Sequence, residues 1–223
     1  MNVDSYIFIM IDFFHKHGYV KLKGVYGTQE ISHIDNIIDR LGYEKDRPNY
    51  VKKIYTGNNL SHIKNVVNNN NDIGVLAQDR RILKVLNDIY NQEPLLLRDN
   101  IRIIQPNAEP TEIKQDMTSG LLRYTGMPIT SVIVLDDNFV FDLWHSNTGR
   151  VTTLMSNPFS PLDKKDVDDD SLTSITCNAG DVLLYDGFIP HRIGRNNLGK
   201  YLTIIEFTYN PSSDGYNYLL VNS

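Results

Sequence analysis

The stretch AGDVLLYDGFIPH, residues 179–191, decides the fold. Its apolar run over residues 182–185 is typical of a buried strand, and an Asp-Gly pair marks a tight turn after it. His191 ends the stretch, and Lys200 leads a second apolar run over residues 201–207. Two such strands can direct both side chains into one cavity, the histidine as a metal ligand and the lysine as a partner for a carboxylate. The other ligands of such a metal site must come from elsewhere in the chain.

Length and composition indicate one globular domain. The 223 residues can bury one substantial core, and we predict a single domain, with a helix-rich front over residues 1–93 and a strand-rich back over residues 94–223. The net charge of −5 argues against a nucleic-acid surface built on bulk positive potential. The apolar run over residues 6–14 is too short to span a bilayer, and a single cysteine forms no internal disulfide. We therefore expect a soluble, intracellular protein, either cytoplasmic or viral, that binds neither membranes nor nucleic acid.

The source is indicated only by composition. Asparagine is abundant and alanine appears at three positions, which suggests the AT-rich genome of a protist or a large DNA virus. This bias carries no chemical information.

The order of predicted elements favours a sandwich or barrel behind a helical front. Apolar residues at helical spacing predict helices near residues 4–16, 31–41, 63–67 and 79–90, with one strand at 19–25. After Pro94, short apolar runs alternate with Gly, Pro, Asn and Asp. These runs predict strands near residues 95–104, 112–117, 129–135, 139–143, 150–154, 172–177, 182–185, 201–209 and 216–221.

A second candidate site lies at Lys114-Gln115-Asp116. Residues two apart on a strand share a face, so Glu112, Lys114 and Asp116 should point the same way. A carboxylate at this place can join a distant histidine in the two-histidine, one-carboxylate ligand set of non-haem iron oxygenases.

A family resemblance rests on collinear segments rather than on one motif. These segments are FFHKHGYVKLKGV at 13–25, DRRILKVL at 79–86, QP at 105–106, VLDD at 134–137, WHS at 144–146, and the stretch 179–191. Through them, and over nearly its whole length, the chain resembles the phytanoyl-CoA dioxygenase-type branch of the iron(II)/2-oxoglutarate oxygenases.

The resemblance implies a double-stranded β-helix, of the jelly-roll or cupin-like kind, with N-terminal helices packed on it. It further implies Fe(II) and 2-oxoglutarate as cofactors, with Asp116 and His191 as the metal-binding, catalytic residues. Lys200 falls where the family places the basic residue that binds the 5-carboxylate of 2-oxoglutarate, and Arg195 is a second candidate for this role. The substrate is then a small molecule or a protein side chain, and the oligomeric state stays open.

One position departs from the family motif. The family has His-x-Asp, and this chain has Lys114 where the first histidine is expected. An ammonium group has no lone pair to give to iron. A charged lysine some 4 Å from a divalent ion is repelled by about 8 kcal/mol at an effective dielectric constant of about 20. The sequence therefore predicts an altered metal site.

Two structural interpretations of Lys114 stay open. In the first, its ammonium replaces the metal beside Asp116, with Glu112 as a further partner. In the second, Lys114 points to solvent and the metal is held weakly by Asp116, His191 and a substitute ligand, either His145 or Glu112.

Two functions follow from these interpretations. The first is a 2-oxoglutarate-dependent dioxygenase that hydroxylates an unidentified substrate. The second is a non-catalytic oxygenase-fold protein that acts as a binding or structural module. The intact His191 and Lys200 favour the enzyme, and Lys114 favours the binding module.

Overall fold

The structure is a computed structural model, and it describes residues 3–43, 51–116, 127–144, 167 and 169–214. Four helices precede the strand-rich half: α1 (Val3–His17), α2 (Thr28–Tyr43), α3 (Asn71–Ala77) and α4 (Arg80–Tyr90). The strands are β1 (Tyr19–Leu22), β2 (Lys52–Thr56), β3 (Asn59–Lys64), β4 (Pro94–Ile104), β5 (Ile129–Val134), β6 (Phe139–Trp144), β7 (Leu172–Cys177), β8 (Val182–Asp186), β9 (His191–Ile193) and β10 (Leu202–Pro211).

The strands form two antiparallel sheets. The larger sheet has seven strands in the order β1-β8-β5-β10-β4-β3-β2, and the smaller has three in the order β7-β6-β9. In β10, Ile205 and Phe207 belong to the core cluster that contains the helices, whereas Leu202 and Ile204 belong to the core cluster shared with the smaller sheet. Because side chains alternate along a strand, the larger sheet has one face on the helices and the other on the smaller sheet.

The helical front contributes strands as well as helices to this architecture. β1 pairs with β8 along Tyr19↔Tyr185 to Leu22↔Val182, and β3 pairs with β4. Apolar residues at helical spacing explain the docking of α2, whose buried side chains are Ile31, Ile34, Ile37, Ile38 and Leu41. Helix α4 begins after Asp79, whose side chain accepts the backbone N–H of Arg81 and caps the helix.

Two glycines allow close approach between the front and the stretch 179–191. Gly180 has a φ of +87°, and a Cβ there would lie 2.1 Å from the backbone oxygen of Tyr26. Gly18 has a φ of +74°, and a Cβ there would lie 2.4 Å from Cδ1 of Ile189. Neither position tolerates a larger side chain in this conformation. The Gly18 contact fixes the loop before His191 against the end of α1, and the Gly180 contact fixes the turn before β8 against the segment after β1.

The predicted helix over residues 63–67 is wrong. Ile63 lies in β3 and pairs with Ile101 of β4, so its burial comes from sheet pairing rather than from a helical face. The chain then turns, and the carboxylate of Asp99 accepts the backbone N–H groups of Asn65, Val66 and Val67. Those bonds hold the amides in a turn and leave them unavailable to a helix.

The predicted strand over residues 112–117 is also wrong in its extent. Among the described residues of this stretch, only Lys114 makes a β-bridge, to His191 of β9. Helix α3 and the strands β2, β3 and β9 were not predicted, whereas the other described strands lie close to their predicted places. The predicted strands at 150–154 and 216–221 lie outside the described residues. No helix in the described part of the chain is long and apolar enough to cross a membrane.

Candidate functional site

A backbone bridge brings Lys114 and His191 together. The N–H of Lys114 donates to the carbonyl oxygen of His191 at 2.9 Å, and the N–H of His191 donates to the carbonyl oxygen of Lys114 at 2.8 Å. Asp116 follows two residues later and is fully buried. The two predicted ligands, Asp116 and His191, are thus brought to one place, beside the position where the family motif has its first histidine.

Asp116 is held on one of its oxygens by three donors from the larger sheet. Its Oδ2 accepts hydrogen bonds from the hydroxyls of Tyr185 at 2.9 Å and Thr130 at 3.0 Å, and it lies 3.1 Å from a terminal nitrogen of Arg98. Burial alone would raise the pKa of Asp116, but the positive charges of Arg98 and Lys114 outweigh it and hold this pKa well below its ordinary value. Asp116 is therefore an anion at neutral pH.

His191 is neutral, and its tautomer follows from its backbone contact. Burial is the main reason that the pKa of His191 falls to about 4. Its Nδ1 lies 2.9 Å from the carbonyl oxygen of Ile189, which can only accept, so Nδ1 carries the proton. Nε2 is then left with a lone pair, and this buried atom has no hydrogen-bond partner in the described part of the chain.

Two electron-pair donors converge at the centre of the site. His191 Nε2 lies 3.6 Å from Oδ1 of Asp116, and neither atom carries a hydrogen to share with the other. Such a pair is favourable only when a cation or a proton donor lies beside both atoms. The Nζ of Lys114 lies 3.5 Å from the same Oδ1, so an ammonium group is the cation beside this oxygen, whereas Nε2 keeps no hydrogen-bond partner among the described residues.

A second ion pair extends the polar network along the larger sheet. Glu206 of β10 accepts from Nε of Arg102 at 2.9 Å and from the amide of Asn100 at 2.6 Å. Burial would raise the pKa of Glu206, but Arg102 and Lys114 lower it to about 2. Arg98, Asn100 and Arg102 occupy alternate positions of β4 and so share the face that meets Asp116.

Aromatic rings enclose His191 on its other sides. The ring of Phe141 stacks on the imidazole with centroids 5.4 Å apart, and the ring of Tyr185 lies 4.5 Å from it. Both aromatic side chains are buried in the core between the two sheets. His191 thus has an apolar wall behind it and the charged network in front of it.

The donor set does not fit iron(II) in the usual arrangement. The described residues contain no group of three His, Cys, Asp or Glu side chains that could hold a metal ion. Asp116 and His191 offer two ligand atoms, and the third position is taken by an ammonium group that repels a divalent cation. Arg98, whose positive charge acts on the same carboxylate, adds to this repulsion.

Lys200 and Arg195 lie in ion pairs at the surface. The Nζ of Lys200 is 2.8 Å from Oδ1 of Asp136, and the lysine side chain is half exposed. Arg195 pairs with Glu109, and both side chains are more than half exposed. Along β10 the next residues inward, Leu202 and Ile204, are buried apolar side chains. Within the described residues, neither cation makes an ion pair with Asp116, and the carboxylate-binding role of either stays a prediction.

Two substitute ligands considered from sequence have different outcomes. Glu112 is exposed, because residues 112–116 form no continuous strand that would turn it onto the buried face of Asp116. His145 lies outside the described residues.

Sequence reasoning missed the residues of the larger sheet that surround Asp116. Arg98, Arg102, Thr130, Tyr185 and Glu206 lie on β4, β5, β8 and β10 and are far from Asp116 along the chain. A signal was present in β4, where PLLLRDNIRII has Arg98, Asn100 and Arg102 at alternate positions. Polar residues at period two on one face of a buried strand indicate a polar interior, and this pattern could have located the network.

Comparison with known proteins supports the fold. No protein-family model and no curated protein sequence matches the chain. Among solved structures, apo EctD from S. alaskensis superposes with a TM-score of 0.77 at 14% identity, covering 96% of this chain and 78% of EctD. The epimerase SnoN in complex with Fe3+, alpha ketoglutarate and nogalamycin RO gives 0.74 at 14% identity, covering 94% and 85%. HygX from Streptomyces hygroscopicus, with nickel and 2-oxoglutarate bound, gives 0.69 at 16% identity, covering 92% and 87%.

These similarities confirm the predicted fold class. The chain has the mainly β, double-stranded β-helix fold of these 2-oxoglutarate-dependent oxygenases, with helices packed on it. The phytanoyl-CoA dioxygenase-type branch is not singled out by them. At identities of 14–16% the superposition establishes the fold alone, and the chemistry has to be inferred from the residues of the site.

Proposed function

We propose that this chain is a ligand-binding protein built on the 2-oxoglutarate oxygenase fold, and that it works without iron. The observation that carries the proposal is the ammonium of Lys114, 3.5 Å from the Asp116 oxygen that also faces His191 Nε2. An ammonium donates three hydrogens and accepts none, so it balances the charge of the Asp116 carboxylate without a metal. The ion pair thereby stabilises the interior of the barrel, and it takes the place of a redox-active metal.

The surroundings of Asp116 support the same proposal. A carboxylate that gives a lone pair to iron competes with donors that use its lone pairs, and Asp116 has three donors on Oδ2 and an ammonium near Oδ1. Arg98 and Lys114 together carry two positive charges against the single negative charge of Asp116. A divalent cation approaching Asp116 would therefore be repelled by the net positive charge around it.

An iron(II)/2-oxoglutarate-dependent dioxygenase is the second candidate function. The observation in its favour is the pair of lone pairs that Asp116 Oδ1 and His191 Nε2 direct to one point, 3.6 Å apart. In this candidate Asp116 and His191 hold the iron and the third ligand comes from another residue, such as His145. The iron and 2-oxoglutarate named for SnoN, and the nickel and 2-oxoglutarate named for HygX, make these the cofactors to test.

A metal-binding comparison of three proteins separates the two candidates. The wild type, Lys114→His and the control Lys84→His are each titrated with Fe(II) under anaerobic conditions, and bound metal and succinate release from 2-oxoglutarate are measured. We expect no stoichiometric iron in the wild type or in the control, whose exposed lysine lies on α4. We expect Lys114→His to gain iron, because imidazole supplies the missing lone pair.

The opposite result would identify an enzyme. One iron per wild-type chain, lost in His191→Ala together with succinate release, would overturn the iron-free proposal.

A further inference from the structure

We propose that the cationic cleft, which we define as the four half-buried residues Lys64, Arg98, Arg102 and Lys114, binds a small organic anion through carboxylate or phosphate oxygens. This inference rests on the proposed iron-free function and names its class of ligand. The shared chemistry is an oxyanion that accepts hydrogen bonds from guanidinium and ammonium groups.

The charges of the cleft do not cancel. Its four basic side chains face two carboxylates, Asp116 and Glu206. The two imidazoles of the network, His62 and His191, have pKa values of about 4, with burial as the main cause, and add no charge at neutral pH. The network is therefore positive by two charges.

The positive charge lies toward solvent and the negative charge lies beneath it. The side chains of Arg98 and Lys114 keep 35% and 28% of their exposure, whereas that of Asp116 keeps 1%. In the second ion pair the cation is again the more exposed partner, because the side chain of Arg102 is 16% exposed and that of Glu206 is 10% exposed. A ligand approaching the network thus meets hydrogen-bond donors first, and the carboxylates serve to fix the cations in place.

Repulsion within the cleft supports an unneutralised site. The pKa of Lys64 is lowered, first by burial and then by the positive charges of Arg98 and Arg102. The same charges act on His62, whose pKa is lowered by burial and by Arg102. Groups that repel one another across a recess are stabilised when an anion binds among them.

Unused donors are present in the cleft. Arg98 directs Nε to the hydroxyl of Thr208 and one terminal nitrogen to Asp116, and Arg102 directs Nε to Glu206. A guanidinium has five N–H groups, so both arginines keep donors that the described contacts do not use. The ammonium of Lys114 has three hydrogens, and its one hydrogen bond among the described contacts is to Asp116.

A titration in the presence of EDTA tests the proposal. Succinate, inorganic phosphate and the neutral analogue succinamide are titrated into the full chain, with heat of binding and the shift in Tm as readouts. We expect succinate, phosphate or both to bind and raise Tm, and succinamide to do neither. Binding of succinate without phosphate would identify a carboxylate ligand, and binding of phosphate without succinate would identify a phosphoryl group.

Matched variants locate the binding site. Lys64 makes no ion pair within the described residues, so Lys64→Gln removes a cation without leaving a carboxylate alone. We expect it to weaken anion binding roughly 2- to 10-fold, and Lys114→Gln to weaken it further. Lys84→Gln, on the exposed side of α4, should leave the affinity unchanged. Circular dichroism establishes that each variant is folded.

Three results would overturn the inference. These are no binding of either anion, equal binding of succinamide, or affinities that Lys64→Gln and Lys114→Gln leave unchanged in folded protein. EDTA keeps the outcome separate from the iron question, because stoichiometric iron in the metal titration would overturn the iron-free function and not the presence of an anion site.

Discussion

A single carboxylate, Asp116, organises the centre of the molecule. It joins residues from three strands, since Arg98 of β4, Thr130 of β5 and Tyr185 of β8 all meet its Oδ2. Burial makes each of these contacts strong, because water is absent as a competitor. A residue with this many partners is a structural determinant whatever ligand the barrel holds.

Replacing Asp116 with asparagine should therefore destabilise the fold. The substitution keeps the shape and removes the charge that balances Arg98 and Lys114. Breaking a buried ion pair by removing one partner costs about 3–5 kcal/mol, and the partial exposure of Arg98 places our expectation near the lower value. Urea unfolding followed by circular dichroism measures the loss.

The matched control is Asp88→Asn, because Asp88 pairs with Lys84 on the surface of α4 at 3.4 Å. It should cost no more than about 0.5 kcal/mol. Equal losses for the two variants would contradict a central role for Asp116.

At the scale of elements, β4 carries two different functions on its two faces. Arg98, Asn100 and Arg102 face the polar network, whereas Asp99 points the other way and holds the turn after β3. Its carboxylate accepts two backbone N–H groups at 2.6 Å and one at 2.8 Å. Alternation along the strand thus separates a binding face from a structural face.

Asp99→Ala should reduce stability without changing anion affinity. It leaves three backbone amides without their acceptor, for which we expect a loss of about 2–4 kcal/mol in the free energy of unfolding. Asp99→Asn keeps one acceptor oxygen and should lose less. Urea unfolding and the succinate titration give the two quantities, and a large change in affinity in folded Asp99→Ala would contradict the separation of faces.

The elements that sequence reasoning found and missed differ in a physical way. Strands such as β5 and β8 are buried throughout, so a plain apolar run identified them. β2 reads KKIYT and is exposed at three of its five positions, and such a strand is fixed by pairing with β3 rather than by its own composition. Helix α3 follows an asparagine run, whose composition is typical of loops, and the side chain of Asn70 accepts the N–H of Ile73 and caps the helix.

The same distinction applies to the site. Asp116 and His191 could be predicted because a local motif and a family resemblance mark them. Arg98 and Glu206 could not be predicted in this way. The register of β4 and β10, in which Asn100 lies opposite Glu206, brings them together. Pairing across the sheet is a long-range property, and one sequence records it only as alternating polar positions.

At the scale of the whole molecule, stability should depend on pH through the half-buried imidazole of His62. Burial is the main cause that lowers the pKa of His62 to about 4, and the positive charge of Arg102 adds to it. Glu206 opposes this shift, while Lys64 and Lys114 increase it. As the pH falls, an imidazole whose pKa is lowered by folding takes up its proton at a higher pH in the unfolded chain than in the folded chain.

The sign follows from this difference. His62 contributes stability in full above about pH 6.5, and the contribution is lost as the pH falls toward 4. His62→Gln should therefore flatten the decrease in unfolding free energy between pH 7.5 and pH 5, as measured by urea midpoints. His33→Gln, an exposed position on α2, is the control and should keep the wild-type slope. An unchanged slope in His62→Gln would contradict the expectation.

The contact between Gly18 and Ile189 joins the end of the first helix to the loop that positions His191. A Cβ at residue 18 would lie 2.4 Å from Cδ1 of Ile189, and the left-handed backbone there disfavours any residue other than glycine. Among relatives of this chain, position 18 should consequently stay glycine. The end of the first helix would then be conserved together with the site around His191, although no residue of α1 belongs to the cationic cleft.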